Sequence, residues 1–215
     1  MSMIELSWLR EGNVRLSGQI AALTDEQIGQ PCALPGWTRA QLLTHLARNA
    51  DGLMNLTRWA ATGTETPMYP GGPAQREADI EAGVARPPDE IRHDAIDSAG
   101  RLDRAFADLP ADGWTREIRN AQGQPMLASR IPWLRVREVW IHAVDLGTGL
   151  SFADCPPDLT AALIEDVRGG LTARPGCPDL TTVTGPPAAL LGWLTGRGSG
   201  ESLLPVPLPQ LPSWL

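Results

Sequence analysis

The chain has 215 residues, 42% of them hydrophobic, and a formal net charge of -7 at pH 7. This length and composition predict one generous domain, or one domain with a small appendage, that buries an ordinary core. The negative charge argues against a nucleic-acid groove or an anionic membrane surface as the main partner, because both require a clustered positive field.

The basic and sulfur-containing residues narrow the chemistry further. All 18 basic residues are arginine, which excludes Schiff-base lysines and phosphate-loop lysines. Cys32, Cys155 and Cys177 are widely spaced and form no C-x-x-C motif, so we expect neither a disulfide framework nor a thiolate zinc site. No leader pattern and no long apolar stretch is present in the sequence, so a reducing cytoplasm is the expected location.

Helical periodicity dominates the first part of the sequence. Apolar residues recur at helical spacing from Ile4 to Leu23, which predicts a first helix. A second helix is predicted from Arg39 to Ala61, because Thr38 and Gln41 form a T-x-x-Q capping box and Gly63 follows as a stop.

The middle of the chain alternates helices with irregular segments. The segment Thr64–Pro73 is too rich in proline and glycine for regular structure, and helical character resumes from Arg76 to Val84. A third helix is predicted from Asp89 to Leu109 and a fourth from Pro132 to Leu146. Between them, Trp114–Ser129 indicates short extended pieces around a turn.

The last third of the chain has a different pattern. Helices are predicted for Asp158–Leu171 and Pro186–Leu194, with a strand at Leu180–Thr184 between them. Four prolines in Leu204–Leu215 predict an extended segment along the surface.

Three residues on two predicted helices form a candidate metal site. Glu138 and His142 are four residues apart and therefore project from one helix face, although most such pairs are solvated or share an ordinary hydrogen bond. His45 lies on another helix, where it is either a core histidine bonded to a carbonyl or a third ligand brought over by bundle packing. A His2Glu set on zinc leaves a fourth position open, and a thiol bound there would lose its proton.

Two long strings carry a family resemblance. LPGWTRAQLLTHLARNADGLMNLTRWAATGTETPMYP (34–70) and WLRVREVWIHAVDLG (133–147) resemble the mycothiol-dependent maleylpyruvate isomerases of the DinB-like four-helix superfamily. The resemblance extends through the N-terminal region to about Asp154 and returns in LTGRGSGES (194–202) and the closing PSWL. It implies a mainly α fold: a DinB-like metal-binding bundle over residues 1–150 and a small, abridged α/β domain over 151–215.

The resemblance also implies an activity and its residues. His45, Glu138 and His142 correspond to the zinc ligands of the family, and Arg197 corresponds to its essential arginine, which suits carboxylate binding. The implied reaction is isomerisation of maleylpyruvate to fumarylpyruvate in gentisate breakdown, by addition of the mycothiol thiolate, bond rotation and elimination. Without the resemblance, Arg197 would be interpreted as a surface arginine in a glycine-rich loop.

Three further residues are candidates for the pocket that holds the thiol. Met68 and Tyr69 either form a wall of that pocket or pack within their loop, and Asn49 is either a partner of the site or a plain polar residue one turn past His45. The expected partners are a small-molecule substrate and a low-molecular-weight thiol, without nucleic acid or membrane, and the expected state is a monomer.

Two other functions stay open at this point. A zinc-dependent mycothiol S-transferase of the same fold would join the thiol to an electrophile and release a stable adduct. A metal-stabilised binding protein would use the three ligands only to hold the bundle together. The interval between the helix at 158–171 and the unit that follows it is short. This shortening leaves the metal site unaffected, and the identity of the substrate stays open.

Overall fold

The computed structural model describes residues 3–212, and within them it contains eight α-helices and one two-stranded sheet. The helices are α1 (Met3–Ala22), α2 (Asp25–Gly29), α3 (Arg39–Thr62), α4 (Gly72–Val84), α5 (Pro88–Asp108), α6 (Ile131–Asp145), α7 (Pro157–Thr172) and α8 (Pro187–Leu194). The mainly helical fold predicted from the sequence is confirmed. None of the helices within residues 3–212 combines the length and the apolar character that a membrane span requires.

Local capping fixes both ends of α3. The Thr38 hydroxyl accepts a hydrogen bond from the Gln41 amide, and the Gln41 side-chain oxygen accepts one from the Thr38 amide at 2.9 Å. Gly63 ends the helix with a φ of 74°, a conformation that glycine adopts without steric cost. The predicted capping box and stop are therefore confirmed.

Four long helices form the bundle. α3 packs against α5 and α6, and α1 packs against the same two helices, so the four close into a ring. Leu42, Leu46 and Leu53 of α3 and Val139 of α6 are fully buried in its core. Burial of such side chains contributes roughly 1.5–3 kcal/mol each and dominates the stability of the bundle. The predicted four-helix bundle is confirmed.

A loop and α4 lie against the side of α3. The loop that was predicted for Thr64–Pro73 is shorter, because α4 already begins at Gly72 with a proline in its first turn, where no amide hydrogen is needed. α4 packs on α3 at Gly83, where a Cβ atom would lie 2.3 Å from Cγ2 of Thr44. Only a glycine permits this close approach.

A hairpin connects α5 to α6. Strands β1 (Glu117–Arg119) and β2 (Pro125–Leu127) pair antiparallel, with Ile118 opposite Met126. The turn between them uses Gly123 at a φ of 76°. The predicted extended pieces around a turn are therefore confirmed.

The chain divides into two compact units, Met1–Thr148 and Gly149–Leu215. The second unit is built on α7 and α8, which pack against each other, and its buried residues include Leu163 and Leu191. Residues 204–212 contain no helix or strand, in line with the extended segment predicted there, while the last three positions of that segment lie outside the described residues.

The strand predicted at Leu180–Thr184 is wrong. A carboxylate oxygen of Asp179 accepts hydrogen bonds from the amide and the hydroxyl of Thr181, and this folds the segment into a turn. Only Thr184 makes a strand-like contact, an isolated antiparallel bridge to Leu204. Side-chain hydrogen bonding to the backbone thus overrides the β-propensity of this run.

Candidate metal centre

The bundle brings together the three residues that the sequence suggested as ligands. His45 lies in the second turn of α3, while Glu138 and His142 lie on successive turns of α6, the neighbouring helix. Both histidines are buried, with 7% of their surface exposed, and the Glu138 side chain is 29% exposed. One ligand atom from each of the three lies within 4.8 Å of the others.

The three facing atoms form a small triangle. Oε2 of Glu138 lies 2.9 Å from Nε2 of His45 and 3.3 Å from Nε2 of His142, and the two nitrogens are 3.2 Å apart. Tetrahedral zinc with bonds of about 2.0–2.2 Å places its ligand atoms about 3.3 Å apart. The donor set and its spacing therefore fit a divalent ion of this size, with a position left for a further ligand.

Burial and hydrogen bonding shift the pKa values of the three groups in different directions. Burial alone would raise the pKa of Glu138, but hydrogen bonds and charge from His142 and His45 hold it well below its ordinary value. Burial lowers the pKa of His45. For His142, hydrogen bonds to Asp145 and Glu138 outweigh burial and raise the pKa. Without metal, the triad is an ionised carboxylate beside one neutral and one readily protonated imidazole.

Asp145 orients His142. It is fully buried, and its Oδ2 lies 2.8 Å from Nδ1 of His142. A carboxylate that accepts the Nδ1 proton leaves Nε2 available to a metal, an arrangement common among metal-binding histidines. Asp145 was not among the site residues expected from the sequence, although it follows His142 by three residues on the same helix.

Arg76 was missed by the sequence interpretation. Its guanidinium lies 2.8 Å from Nδ1 of His45 and 5.6 Å from the centre of the Tyr69 ring. It is the fifth residue of α4, and nothing in the sequence indicated that α4 folds back onto the metal-ligand face of α3.

Asn49 and Tyr69 belong to a hydrogen-bond network beside the triad. Nη1 of the fully buried Arg135 donates to Oδ1 of Asn49 at 2.8 Å and to the Leu46 carbonyl at 2.9 Å, which ties α6 to α3. Burial lowers the pKa of Arg135 to about 10, so it stays charged at neutral pH. Burial raises the pKa of Tyr69, opposed by hydrogen bonds from Arg76 and Asn49.

The loop that carries Met68 and Tyr69 is held on α3. Asn55 donates to the Met68 carbonyl at 3.3 Å, and a Cβ on Gly52 would lie 2.9 Å from Cγ of Met68. A cavity of about 470 Å³ opens beside this loop, and Met68, Tyr69 and Arg76 are among the residues that line it. The volume is that of a small-molecule site.

Arg197 lies in the second unit, in the turn after α8. Its amide donates to the Gly192 carbonyl at 2.7 Å and its guanidinium donates to the Thr195 carbonyl. The structure therefore shows how its backbone is held, and a role for Arg197 in the site stays a prediction.

Three comparisons place these features among known proteins. A family model described as the mycothiol maleylpyruvate isomerase N-terminal domain matches residues 9–147. Two solved structures, titled as the mycothiol-dependent maleylpyruvate isomerase and a point mutant of it, superpose with TM-scores of 0.89 at 33% and 32% identity. None of the curated proteins compared matches the chain.

The extent of these matches bears on the second unit and on the fold. Each isomerase alignment covers 98% of this chain and 95% of the other, and an abridged domain over residues 151–215 stays a prediction. YfiT from Bacillus subtilis, titled a probable metal-dependent hydrolase with an unusual four-helix bundle topology, is 18% identical with a TM-score of 0.55. That alignment covers 68% of this chain and 86% of YfiT, and it supports the bundle fold alone.

Proposed function

The chain belongs to the mycothiol maleylpyruvate isomerase family, and on this premise we propose that it is a zinc- and mycothiol-dependent cis-trans isomerase that converts maleylpyruvate to fumarylpyruvate. The reaction consists of addition of the thiolate to the activated double bond, rotation about the resulting single bond and elimination of the thiolate. The expected monomeric state and cytoplasmic location are part of the same proposal.

The triangle of donor atoms carries this proposal. The 2.9–3.3 Å edges of the triangle are compatible with a metal centre as well as with hydrogen bonds, and the carboxylate on Nδ1 of His142 supports the metal-binding role. In this role, His45, Glu138 and His142 hold the ion, and Asp145 keeps His142 in the ligating tautomer. When bound, zinc lowers the pKa of a coordinated thiol and so supplies a nucleophile at neutral pH.

The remaining residues bind and orient the organic molecules. Met68 and Tyr69 line the cavity and Asn49 is hydrogen-bonded to Tyr69, and we assign these three residues to the thiol. The substrate is a dianion, and Arg197 is assigned to one of its carboxylates because a guanidinium binds carboxylates through two parallel hydrogen bonds.

The test joins metal analysis to an assay. We expect about one zinc per chain after purification, and fumarylpyruvate as the product from maleylpyruvate only when both zinc and mycothiol are present. Mass spectrometry of the product separates the two enzyme classes, because a stable thiol adduct would identify an S-transferase. No turnover by zinc-loaded protein supplied with mycothiol would contradict the isomerase assignment.

The variant His142→Ala separates catalysis from a structural role. We expect it to lose zinc and turnover while its circular dichroism spectrum stays helical, because the apolar core of the bundle is formed by other side chains, such as Leu42, Leu46 and Leu53. A large fall in melting temperature, comparable with that caused by removing a core leucine such as Leu46, would instead favour a metal that holds the bundle together.

A further inference from the structure

The contact between Arg76 and His45 carries an inference that rests on the proposed metal site. A guanidinium has donors only, so the 2.8 Å contact requires Nδ1 of His45 to accept the hydrogen bond. The proton of the neutral ring then sits on Nε2, which lies 2.9 Å from Oε2 of Glu138. Arg76 therefore selects the tautomer of His45 that cannot bind a metal through Nε2.

Metal binding requires the opposite tautomer of His45. When Nε2 of His45 is a ligand, the ring proton sits on Nδ1, where it would face the guanidinium N–H of Arg76. Two donors 2.8 Å apart repel each other, so Arg76 cannot keep its position once the site is loaded. The guanidinium must turn away from His45 and find another acceptor.

The carboxylates that line the cavity beside Arg76 already have partners. Asp51 pairs with Arg48 and Arg101, and Asp79 accepts a hydrogen bond from Gln75 at 2.8 Å. Arg48 and Arg86 line the same cavity, and each of them pairs with Asp94 at 2.8–2.9 Å. Among the residues that the structure describes, Arg76 has no carboxylate partner; besides His45 it contacts only Tyr69. A guanidinium released into this cavity would therefore have to share a carboxylate that already has a partner, whereas the carboxylate of a bound ligand would be unshared.

We propose that Arg76 binds a carboxylate of the substrate in this cavity, and that metal binding at the triad releases it for that purpose. In the metal-free protein the guanidinium is held on Nδ1 of His45, and the carboxylate subsite is not formed. Metal binding displaces the guanidinium from His45. Binding of the metal therefore raises the affinity for the carboxylate, and binding of the carboxylate raises the affinity for the metal. Arg76 is thus a specificity residue for anionic substrates.

The first test measures zinc affinity with a competing chelator in the wild type and in Arg76→Met. Removing the guanidinium abolishes its competition for His45, so we expect zinc affinity to rise about tenfold, the size of one charge-assisted hydrogen bond. Arg86→Met is the matched control, because Arg86 lines the same cavity and contacts Asp94 instead of His45, and it should leave zinc affinity unchanged. Weaker zinc binding by Arg76→Met would overturn the proposal.

The second test titrates maleate, a C4 unsaturated dicarboxylate, into metal-free and zinc-loaded protein by calorimetry. We expect Arg76→Met to weaken maleate binding about tenfold or more in the zinc-loaded protein and by less than about twofold in the metal-free protein. An equal loss in both forms, or no loss, would overturn the proposal. Arg76→Lys should recover part of the affinity, because lysine restores the positive charge but lacks the two parallel donors of a guanidinium.

The tautomer of His45 provides a readout that is independent of ligand binding. Long-range proton–nitrogen NMR spectra should show the Nε2–H form in metal-free wild type and the Nδ1–H form after zinc is added. An Nδ1–H form in the metal-free protein would contradict the argument. Because none of these measurements requires turnover, their failure is distinguishable from failure of the isomerase assay: inactive protein with intact coupling would refute only the proposed reaction.

Discussion

At the level of single residues, the two histidines of the triad differ in what contacts the outer nitrogen of the ring. Nδ1 of His142 faces the carboxylate of Asp145, whereas Nδ1 of His45 faces the guanidinium of Arg76. An acceptor prepares Nε2 for a metal and a donor opposes it. We therefore expect these two neighbours to shift the metal affinity of the proposed site in opposite directions.

The first prediction concerns Asp145→Asn. The amide can donate to Nδ1 of His142 and stabilise the wrong tautomer, so we expect zinc affinity to fall about 10–100-fold, as measured by competition with a chelator. The exposed Asp112, which pairs with Arg116, provides the control: Asp112→Asn removes the same charge and should leave zinc affinity unchanged. Equal zinc affinity in Asp145→Asn and wild type would show that Asp145 does not orient His142.

The second prediction concerns pH and the stability of metal-free protein. The pKa of His142 is raised above 6.5 in the folded state, because its hydrogen bonds to Asp145 and Glu138 outweigh burial. The folded state thus holds this proton more tightly than the unfolded chain, and the resulting stability is present below pH 6.5 and lost as pH rises through the raised pKa. His45, whose pKa burial lowers, has its effect below 6.5.

Thermal melts above pH 6.5 therefore report on His142. Metal-free wild type should lose melting temperature as pH rises from about 6.5 to 8, whereas zinc-loaded protein should not, because zinc displaces the Nε2 proton. Metal-free His142→Gln has no proton to lose and should show a flat profile over this range. A parallel decline in wild type and His142→Gln would mean that another group is responsible.

At the level of elements, a glycine on α3 positions the loop of Met68 and Tyr69. A Cβ at Gly52 would lie 2.9 Å from Cγ of Met68, 3.1 Å from its carbonyl oxygen and 3.1 Å from Cε1 of Tyr69. We expect Gly52→Ala to push the loop off α3, lower the free energy of unfolding by about 1–2 kcal/mol and weaken mycothiol binding. Zinc affinity should stay unchanged, because no ligand of the triad is moved.

Gly18 on α1 supplies the control for this substitution. A Cβ at Gly18 meets no atom within 4 Å, so Gly18→Ala should raise the free energy of unfolding by about 1 kcal/mol through helix propensity. Chemical denaturation separates the two variants, and calorimetric titration with mycothiol gives the second readout. If Gly52→Ala proved as stabilising as Gly18→Ala, the loop would not depend on that close contact.

How far the sequence predicts these elements depends on how local their determinants are. The capping box of Thr38 and Gln41 and the i, i+4 spacing of Glu138 and His142 are local, and both predictions agree with the structure. The strand at Leu180–Thr184 failed because Asp179, just outside the apolar run, captures the backbone in a turn.

Sequence patterns did not predict which residues of different helices contact each other. Nothing local indicates that His45 of α3 meets the α6 pair: bundle packing left this contact as one of two alternatives, and the family resemblance selected it. Arg76 and Arg135 escaped notice for the same reason, because an arginine on a helix face is usually solvated, and their contacts with His45 and Asn49 join residues 31 and 86 positions apart.

At the level of the whole molecule, the predicted ligands and the predicted essential arginine fall in different units. His45, Glu138 and His142 belong to Met1–Thr148, and Arg197 belongs to Gly149–Leu215. The domain boundary at residue 150 stays a prediction, because compact units need not fold alone. The isomerase alignments extend over 98% of the chain and therefore include both units.

The last prediction uses Arg197→Ala to test whether the second unit contributes a residue to the reaction. We expect zinc content and melting temperature to match wild type, because the triad lies in the first unit, while kcat/KM falls about 30-fold or more, the cost of losing one hydrogen-bonded charge pair with a substrate carboxylate. Arg174→Ala removes an exposed arginine from the same unit and should keep full activity. Arg197→Lys should be intermediate, because an ammonium restores the charge without the planar fork. Normal turnover by Arg197→Ala would confine the reaction to the bundle and leave Arg76 as the argued carboxylate contact.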